Sequence, residues 1–271
     1  MILFILIILV ILIILIISFY LLNLFIVKKE KFIDNIHNKY NKHNQYNNIS
    51  ILLTCTVNVD NNIDFLFQKD KIERKKLYID RIKKWLYNTN FNIIVVENSD
   101  EKFSELKEEL KIFKDRFEIF SFNTMKEKDA KYLYNNKSKG AFELYSIQYA
   151  YKKSKILKKS DFIIKITGRY FIDKMQDFLS KKNIKNYIAL RQNDNLKCEI
   201  VGTNIKYFNY IFNLNPIYKD IDGNIRSNNA FVERVYKERI DRLPYDKVIT
   251  CPIFNIEPTQ QGGLNKIRTF L

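Results

Sequence analysis

The sequence predicts an α/β protein, in which a doubly wound, mainly parallel β-sheet follows one N-terminal transmembrane helix. Two observations carry this prediction. The chain of 271 residues begins with an unbroken apolar segment. Between residues 51 and 167, runs of β-branched and aromatic residues then alternate with segments of helical periodicity. Such alternation is typical of parallel strands that are connected by helices.

The first segment, residues 2–27, contains no Lys, Arg, Asp or Glu. Roughly 20 apolar residues span the hydrocarbon core of a bilayer, so this segment is long enough to cross with some tilt. The alternative is a cleaved signal peptide, which would have a basic start, a shorter apolar core and a small-residue cleavage site. The sequence has none of these features. We therefore expect residues 1–27 to be a retained single-pass anchor, with the lipid bilayer as a partner.

Basic residues follow the anchor and do not precede it, since Lys28, Lys29 and Lys31 stand directly after the apolar run. The positive-inside rule then places the following domain in the cytosol. Residues 28–48 are rich in Lys and Asn and have no sustained apolar period. They are interpreted as a polar stalk or linker.

The main domain, expected over residues 49–258, begins with two strand–helix units. Residues 51–59 form a β-branched run that predicts a buried strand, and residues 72–86 have helical apolar spacing. Residues 91–96 predict the second strand. Ser99, which is followed by two acidic residues, is expected to cap the next helix.

Two more strands, at residues 117–122 and 161–167, are separated by a helix expected over residues 141–155. After Tyr170 the alternation is less regular, and short elements are expected to complete the same domain. These are strands near residues 187–190 and 199–201, and helices near residues 173–179, 205–212 and 229–240. The last residues, 259–271, are expected to form a frayed polar tail. Its QQGG stretch could instead be a flexible loop that contacts a phosphate.

The charge and histidine content limit the possible functions. The formal net charge is +16, and the lysines are scattered among acidic residues, so a solvated surface is expected. A basic face for phosphorylated substrates, anionic lipid or nucleic acid is the alternative. No recognisable nucleic-acid module accompanies this charge, so we do not expect nucleic acid as a partner. His37 and His43 both precede the domain, which excludes histidine triads and histidine metal sites within it.

Glycine is scarce, with six residues in the chain, so single glycines are informative. Gly140 stands just before a predicted helix, where free N–H groups and the helix dipole favour an anion such as phosphate. Glu143 follows in the first turn. The alternative is an ordinary loop-to-helix junction in which the glutamate caps its own helix.

Gly168 follows the fourth strand, in the segment KITGRYF. Sheets of this type bind ligands beyond the carboxyl ends of their strands. Lys165 and Thr167 share one face of the strand by two-residue alternation, and Arg169 lies just past Gly168. A lysine and an arginine this close could neutralise a diphosphate without a metal.

Lys165 also admits a purely structural interpretation. A buried lysine needs a carboxylate partner, and Glu97 or Glu143 could supply one. The residue pattern leaves both interpretations open.

A resemblance adds to this reading. The ENS that ends the second strand, the KGAFE segment and, further along, IIKITGRYF together resemble glycosyltransferases of the capsule, lipopolysaccharide or viral membrane-associated type. Those enzymes have a GT-A-like nucleotide-sugar-binding fold. The resemblance covers residues 51–210, and the KITGRY block is its most specific part. It implies an enzyme that moves a sugar from a nucleotide-sugar donor to a glycan or lipid-linked acceptor.

The resemblance also implies roles for particular residues. The first strand and its loop, including Thr56 and Asp60, would face the nucleotide. The expected donor-binding residues are Thr54, Asn58, Glu97, Asn98, Gly140, Glu143, Lys165, Thr167, Gly168 and Arg169. The CEIVG segment resembles the acceptor-side strand of such enzymes. Glu199 in that segment, or Glu233 on a later helix, is the candidate general base that deprotonates an acceptor hydroxyl.

The end of the fourth strand departs from the family pattern. Many GT-A enzymes carry an Asp-x-Asp pair there to hold a divalent metal, and this chain has KITGRY. We therefore expect neither a cofactor nor metal ligands. Lys165 and Arg169 would take the place of the cation. The alternative is Mn²⁺ or Mg²⁺ held by Asp161, Asp173 or another acid. A degenerate, non-catalytic relative and a membrane-tethered basic binding protein for anionic lipid or nucleic acid are the remaining alternatives.

Overall fold

The computed structural model describes residues 2–41, 48–59, 67–133, 139–194, 196–214 and 231–271. The chain divides into two compact units, Met1–Asn44 and Gln45–Leu271. The first unit contains helix α1 (Ile2–Asn41), which continues through most of the segment expected to be a stalk. Residues Ile11–Lys29 have a mean hydropathy of 2.6 and none of this stretch is buried. The helix is thus long and apolar enough to cross a membrane.

The second unit is built on a sheet in the order β3-β2-β1-β4-β6-β5-β7. Its strands are β1 (Ile49–Cys55), β2 (Asn92–Glu97), β3 (Phe117–Ser121), β4 (Phe162–Thr167), β5 (Ala189–Arg191), β6 (Ile200–Asn204) and β7 (Val248–Thr250). Strands β1 to β4 are parallel, β6 is antiparallel to β4 and β5, and β7 is parallel to β5. The mainly parallel sheet confirms the predicted fold class.

Helices connect the strands. The helices described in this unit are α2 (Lys71–Asn88), α3 (Lys107–Ile112), α4 (Lys139–Lys153), α5 (Lys155–Lys159), α6 (Met175–Ser180), α7 (Phe208–Ile211) and α8 (Val232–Asp241). Asp70 caps α2 by accepting the backbone N–H of Glu73 at 2.8 Å. The predicted strand–helix order up to β4 is confirmed, with boundaries shifted by a few residues.

Both faces of the sheet are covered, which explains why its central strands are continuous apolar runs and do not alternate. On one face, Leu52 and Ile94 pack in a cluster with Leu144 and Ile147 of α4. Residues of β1 and β2 whose side chains point to the other face of the sheet, such as Ile51, are also inaccessible to solvent. A doubly wound arrangement follows from this burial on both sides.

The connection after β2 differs from the prediction. Ser99 does not cap a helix, because Asp100 and Phe103 adopt φ angles of 70° and 46°, and left-handed backbone cannot continue a right-handed helix. Helix α3 begins only at Lys107. The Ser99 hydroxyl instead accepts the backbone N–H of Asn58 at 2.8 Å, so it joins the loops that follow β1 and β2.

The C-terminal residues also differ from the prediction. Instead of a frayed polar tail, β8 (Asn255–Gln260) and β9 (Ile267–Phe270) form an antiparallel hairpin. Glu257 on β8 forms ion pairs with Arg81 and, at 2.6 Å, with Lys84, both on α2. Both strands are largely exposed, so no pattern of burial marks them in the sequence, and contacts with distant residues order them.

Candidate functional site

The sheet has a switch point between β1 and β4. The chain proceeds from β1 to β2 and β3 on one side, whereas β4 lies on the other side of β1. Connections that leave in opposite directions open a crevice at the carboxyl ends of such strands. Thr54 and Thr167 are paired in register near this end. The crevice is therefore the candidate site.

Gly168 brings the ends of β1 and β4 close together. Its N–H donates to the Thr54 carbonyl oxygen at 2.9 Å. A Cβ at this position would lie 2.4 Å from the Cys55 Sγ and 2.9 Å from the same Thr54 oxygen. Only glycine fits without displacing neighbours, and this fit determines where Arg169 leaves the strand.

Lys165 lies inside the protein in an ion pair. Its Nζ is 2.7 Å from the Glu143 Oε1, and it donates to the Cys198 carbonyl oxygen at 2.7 Å. Thr54 donates its hydroxyl to the same Glu143 oxygen at 2.8 Å. Burial disfavours the charged lysine, but the Glu143 carboxylate and other nearby groups outweigh it, so the pKa of Lys165 is raised. These contacts agree with the structural interpretation, in which Lys165 is a buried lysine that pairs with the carboxylate of Glu143.

Gly140 lies in the first turn of α4, whereas Glu143 lies just beyond that turn and not in it as expected. A Cβ on Gly140 would lie 2.5 Å from the Val232 Cβ of α8, so close packing of two helices explains this glycine. Glu143 keeps a side-chain exposure of 19%. Its carboxylate is therefore partly accessible to solvent.

Glu97, at the end of β2, is completely buried. Its carboxylate accepts backbone N–H groups of Val57 at 2.9 Å, Ser99 at 3.0 Å and Glu101 at 2.8 Å, together with the Ser99 hydroxyl. Burial raises the pKa of Glu97, and these hydrogen bonds offset only part of the effect. The carboxylate ties two loops together and its oxygens are occupied by protein donors.

Polar residues that follow β1 and β2 form a small network in these loops. The Thr56 hydroxyl donates to the Asn98 Oδ1 at 2.7 Å, and the Asn98 Nδ2 donates to the Ser146 hydroxyl at 3.1 Å. Asn58 is exposed and donates its Nδ2 to the Ser99 carbonyl at 3.0 Å. Asp60 lies outside the described residues. The network places amide and hydroxyl groups at the carboxyl ends of β1 and β2.

Two arginines lie close to the crevice. Arg169 is nine-tenths buried and donates to the Gln260 carbonyl oxygen of the C-terminal hairpin, at 3.4 Å. Arg74, on α2, is also buried and donates to the Thr56 carbonyl oxygen at 2.9 Å. Sequence reasoning missed Arg74. Its position on the buried face of α2, one turn before Tyr78, is the signal that could have found it.

Both candidate bases lie close to Cys198, which stands two residues before β6. Glu199 lies 3.1 Å from the Arg268 Nη1, and its buried Oε2 has no hydrogen-bond partner among the described residues. Glu233, on α8, accepts a weak hydrogen bond from the Cys198 Sγ at 3.6 Å. Since Cys198 also receives the Lys165 hydrogen bond, the structure brings both glutamates near the Lys165–Glu143 pair.

The acidic residues give a mixed picture for a metal. Asp161 stands just before β4, where its carboxylate accepts a hydrogen bond from the Asn48 Nδ2 at 2.9 Å. This is the amino end of the strand, and the crevice lies at the carboxyl end. Among the described residues, no group of three or more His, Cys, Asp or Glu could hold a metal ion. The chain does contain one Asp-x-Asp pair, Asp220-Ile221-Asp222, which sequence reasoning also missed. It lies outside the described residues.

Two surface depressions lie elsewhere. One, of about 750 Å³, is lined by Tyr149 and Lys152 of α4 and its neighbours. The other, of about 760 Å³, is lined by Phe178 of α6 and Ile253 before the hairpin. The first includes none of the predicted site residues, and the second includes only Asp173, one of the alternative metal ligands. The crevice is therefore defined by its position on the sheet and by its side chains.

Comparison with known proteins gives similarities of fold. No family model matches the chain. No curated protein matches it either. Three of the solved structures that resemble it each have a TM-score of 0.40. A protein from Desulfovibrio desulfuricans assigned as a nucleotide-diphospho-sugar transferase is 13% identical, over 76% of this chain and 80% of that one. A cytidylyltransferase from Leptospira borgpetersenii is 14% identical, over 76% of each chain. A galactosyltransferase in complex with donor and acceptor sugar analogues is 8% identical, over 74% of this chain and 72% of that one.

Proposed function

We propose that this protein is a membrane-anchored glycosyltransferase that moves a sugar from a nucleotide-sugar donor to a glycan or lipid-linked acceptor. One observation carries the proposal. β1 and β4 end side by side at a switch point, where Gly168 packs on Thr54 and Arg169 follows at the same edge as the polar loops. A crevice with amides, hydroxyls and a guanidinium suits a nucleotide joined to a diphosphate.

The donor residues divide by chemistry. The exposed amide of Asn58 and the hydroxyl of Thr56 suit the base and ribose, because both can donate and accept hydrogen bonds. Arg169 suits the diphosphate, with Thr167 beside it at the end of β4. Glu143, held by Lys165 and Thr54, is placed to accept hydrogen bonds from hydroxyls of the donor sugar.

The reaction needs a base on the acceptor side. The base takes the proton of an acceptor hydroxyl, the oxygen bonds to the anomeric carbon, and the bond from that carbon to the diphosphate oxygen breaks. The nucleoside diphosphate leaves with the electron pair. Glu199 suits this role better than Glu233, because one Glu199 oxygen lacks a partner among the described residues, whereas Glu233 is engaged by Cys198.

The leaving diphosphate carries negative charge, which a cation must stabilise. We propose that Arg169 does so without a metal. Mn²⁺ or Mg²⁺ held through Asp220 and Asp222 is the competing arrangement, and the same experiment separates the two.

The test uses the full-length protein in detergent. Thermal stabilisation by uridine, guanosine and cytidine diphosphate sugars is measured with Mn²⁺ and with EDTA, for the wild type, Arg169→Ala and Lys165→Ala. Lys174→Ala, which removes an exposed lysine directly before α6, is the control. The expected result is stabilisation by one nucleotide class that persists in EDTA, is lost in Arg169→Ala and is kept in Lys174→Ala. Release of the free nucleoside diphosphate with an acceptor then checks transfer.

A second candidate is a non-catalytic basic protein that binds anionic lipid or nucleic acid. It is favoured by a run of exposed lysines at the end of α4 and in α5, namely Lys152, Lys153, Lys155, Lys158 and Lys159. Such a surface would give binding that weakens steeply with salt. No stabilisation by any nucleotide sugar, together with salt-sensitive binding of oligonucleotides or anionic vesicles, would replace the transferase proposal with this one.

A further inference from the structure

The cations near the crevice fall into two groups. Lys165 has the Glu143 carboxylate at 2.7 Å, and Arg268 has Glu199 at 3.1 Å. Arg74 and Arg169 have no carboxylate within ion-pair distance among the described residues. Both are at least nine-tenths buried, with exposures of 3% and 9%.

Arg74 is held by neutral oxygens. Its Nε and Nη2 donate to the Thr56 carbonyl, its Nη1 donates to the Gln68 carbonyl at 3.0 Å, and its Nη2 also donates to the Tyr78 hydroxyl at 3.0 Å. A guanidinium has five N–H groups, and these contacts use four of them. The charge is therefore oriented by the protein but not neutralised by a contacting acid.

Arg169 has a looser environment. Its one hydrogen bond to a described residue is the 3.4 Å contact to the Gln260 carbonyl. The guanidinium lies against Gly262, where a Cβ would come within 2.5 Å of both terminal nitrogens. Most of its donors are thus available to a ligand.

The two arginines are electrostatically coupled, and both are linked to the tip of the C-terminal hairpin. Burial lowers the pKa of Arg74, and the positive charge of Arg169 lowers it further. The Gly262 carbonyl that borders Arg169 accepts the N–H of Phe67 at 2.9 Å. Phe67 precedes Gln68, whose carbonyl holds Arg74, so the tip of the hairpin connects both guanidinium groups.

We infer that Arg74 and Arg169 form a paired-guanidinium site for a diphosphate group, with the hairpin tip at Gly262 as its wall. The inference rests on the proposed function and deepens it, because Arg74 takes the place that the sequence suggested for Lys165. Two buried positive charges that no described carboxylate contacts are costly. A diphosphate offsets that cost, and it matches the planar fork of Arg169.

The test measures binding of inorganic pyrophosphate to the full-length protein in detergent with EDTA, by titration calorimetry. Arg169→Gln and Arg74→Gln are each expected to weaken binding by at least about tenfold, as expected for loss of a hydrogen bond to a charged group. Arg116→Gln is the matched control. Arg116 also donates to backbone carbonyls, those of Leu86 and Phe91, but it directly precedes β3 at the opposite edge of the sheet, and its substitution is expected to leave binding unchanged.

Two further variants keep the test decisive if Arg74→Gln does not fold. Arg74→Lys keeps the charge and is expected to retain more affinity than Arg169→Gln. Gly262→Ala keeps both arginines but displaces the Arg169 guanidinium, and it is expected to weaken pyrophosphate binding as well. Pyrophosphate binding that is unchanged in Arg169→Gln and Gly262→Ala, or absent in the wild type, overturns the inference.

The outcomes also separate this inference from the proposed function. If a nucleotide sugar binds and is transferred only with Mn²⁺, and Arg169→Gln and Arg74→Gln do not affect it, the transferase stands and the paired site is wrong. If pyrophosphate binding depends on both arginines but no nucleotide sugar binds, the paired site stands and the transferase is wrong.

Discussion

At the scale of single residues, Lys165 and Arg169 have similar positions in the sequence and different surroundings in the fold. Lys165 points into the protein from β4 and meets the Glu143 carboxylate. Arg169 lies beyond Gly168, where the chain has left the strand, and its hydrogen bond among the described residues goes to the backbone of the hairpin. A compensated charge stabilises the fold, whereas an uncompensated charge is available to a ligand.

The Lys165–Glu143 pair makes a prediction about stability. Lys165→Met leaves the Glu143 carboxylate without its cation and is expected to cost about 3–5 kcal/mol of unfolding free energy. Lys165→Met combined with Glu143→Gln removes both charges and is expected to recover a large part of that loss. Urea denaturation of the single and double variants measures both effects. Equal destabilisation by the single and double variants would contradict a direct ion pair.

The raised pKa of Lys165 gives the same pair a pH dependence. Because the folded protein holds this proton more tightly than the unfolded chain, the stabilisation is fully present below the unfolded pKa and is lost as pH rises through the folded one. The stability difference between the wild type and Lys165→Met is expected to stay constant from about pH 7 to pH 9 and to shrink above the ordinary lysine pKa of about 10.4. Denaturation curves at several alkaline pH values check this. A difference that grows with pH would be inconsistent with a charged Lys165.

Gly168 makes a prediction about both stability and binding. In Gly168→Ala the new methyl group meets the Cys55 sulfur and the Thr54 carbonyl, so we expect a loss of about 1–3 kcal/mol and weaker nucleotide-sugar binding. Cys55→Ala in the same chain relieves the sulfur contact but not the carbonyl contact. Thermal unfolding is therefore expected to show partial rescue. Full stability of the single variant would mean that the strand ends can separate freely.

At the scale of elements, α4 and α8 position the candidate site through one close contact. Gly140 in the first turn of α4 lies against Val232 in the first turn of α8. Glu143 follows in α4 and pairs with Lys165, and Glu233 follows in α8 and accepts a hydrogen bond from the Cys198 thiol. The spacing between the helices therefore sets the distance between two carboxylates of the site.

A methyl group at this contact tests the arrangement. Gly140→Ala is expected to push the two helices apart and to cost about 1–3 kcal/mol. It is also expected to lower transfer activity more than binding of the free nucleotide, because the loops after β1 and β2 are not involved. Val232→Ala added to Gly140→Ala removes the Cγ1 contact and is expected to restore part of the stability. Thermal unfolding and steady-state kinetics measure the two effects; an unchanged ratio of activity to binding would argue against helix spacing as the cause.

At the scale of the whole molecule, the chain consists of a helical unit and an α/β unit. The α/β unit contains its own sheet and core cluster. In contrast, the apolar side chains of α1 from Ile11 to Val27 are exposed in the structure. Such a surface needs a lipid or another apolar environment to cover it.

Truncation separates the two units. Residues 45–271 expressed alone are expected to stay in solution without detergent and to unfold cooperatively, whereas the full chain is expected to remain in membranes after carbonate extraction. Lysines at Leu15 and Ile16 in the full chain are the matched control, because a charge at the centre of a span costs about 2.5–3.5 kcal/mol on insertion scales. Membrane retention of residues 45–271 would assign the anchor to another part of the protein.

The sequence by itself determined the fold class, the order of the first four strands and the candidate span. These follow from local properties, because apolar runs and helical periods are readable over windows of about 10–20 residues. The tertiary structure alone decided that Glu143 pairs with Lys165, that Arg74 lies near Arg169, and that the last residues form a hairpin. Arg169 and Gln260 are 91 positions apart. Contacts of that range depend on how the elements pack, and no local pattern specifies them.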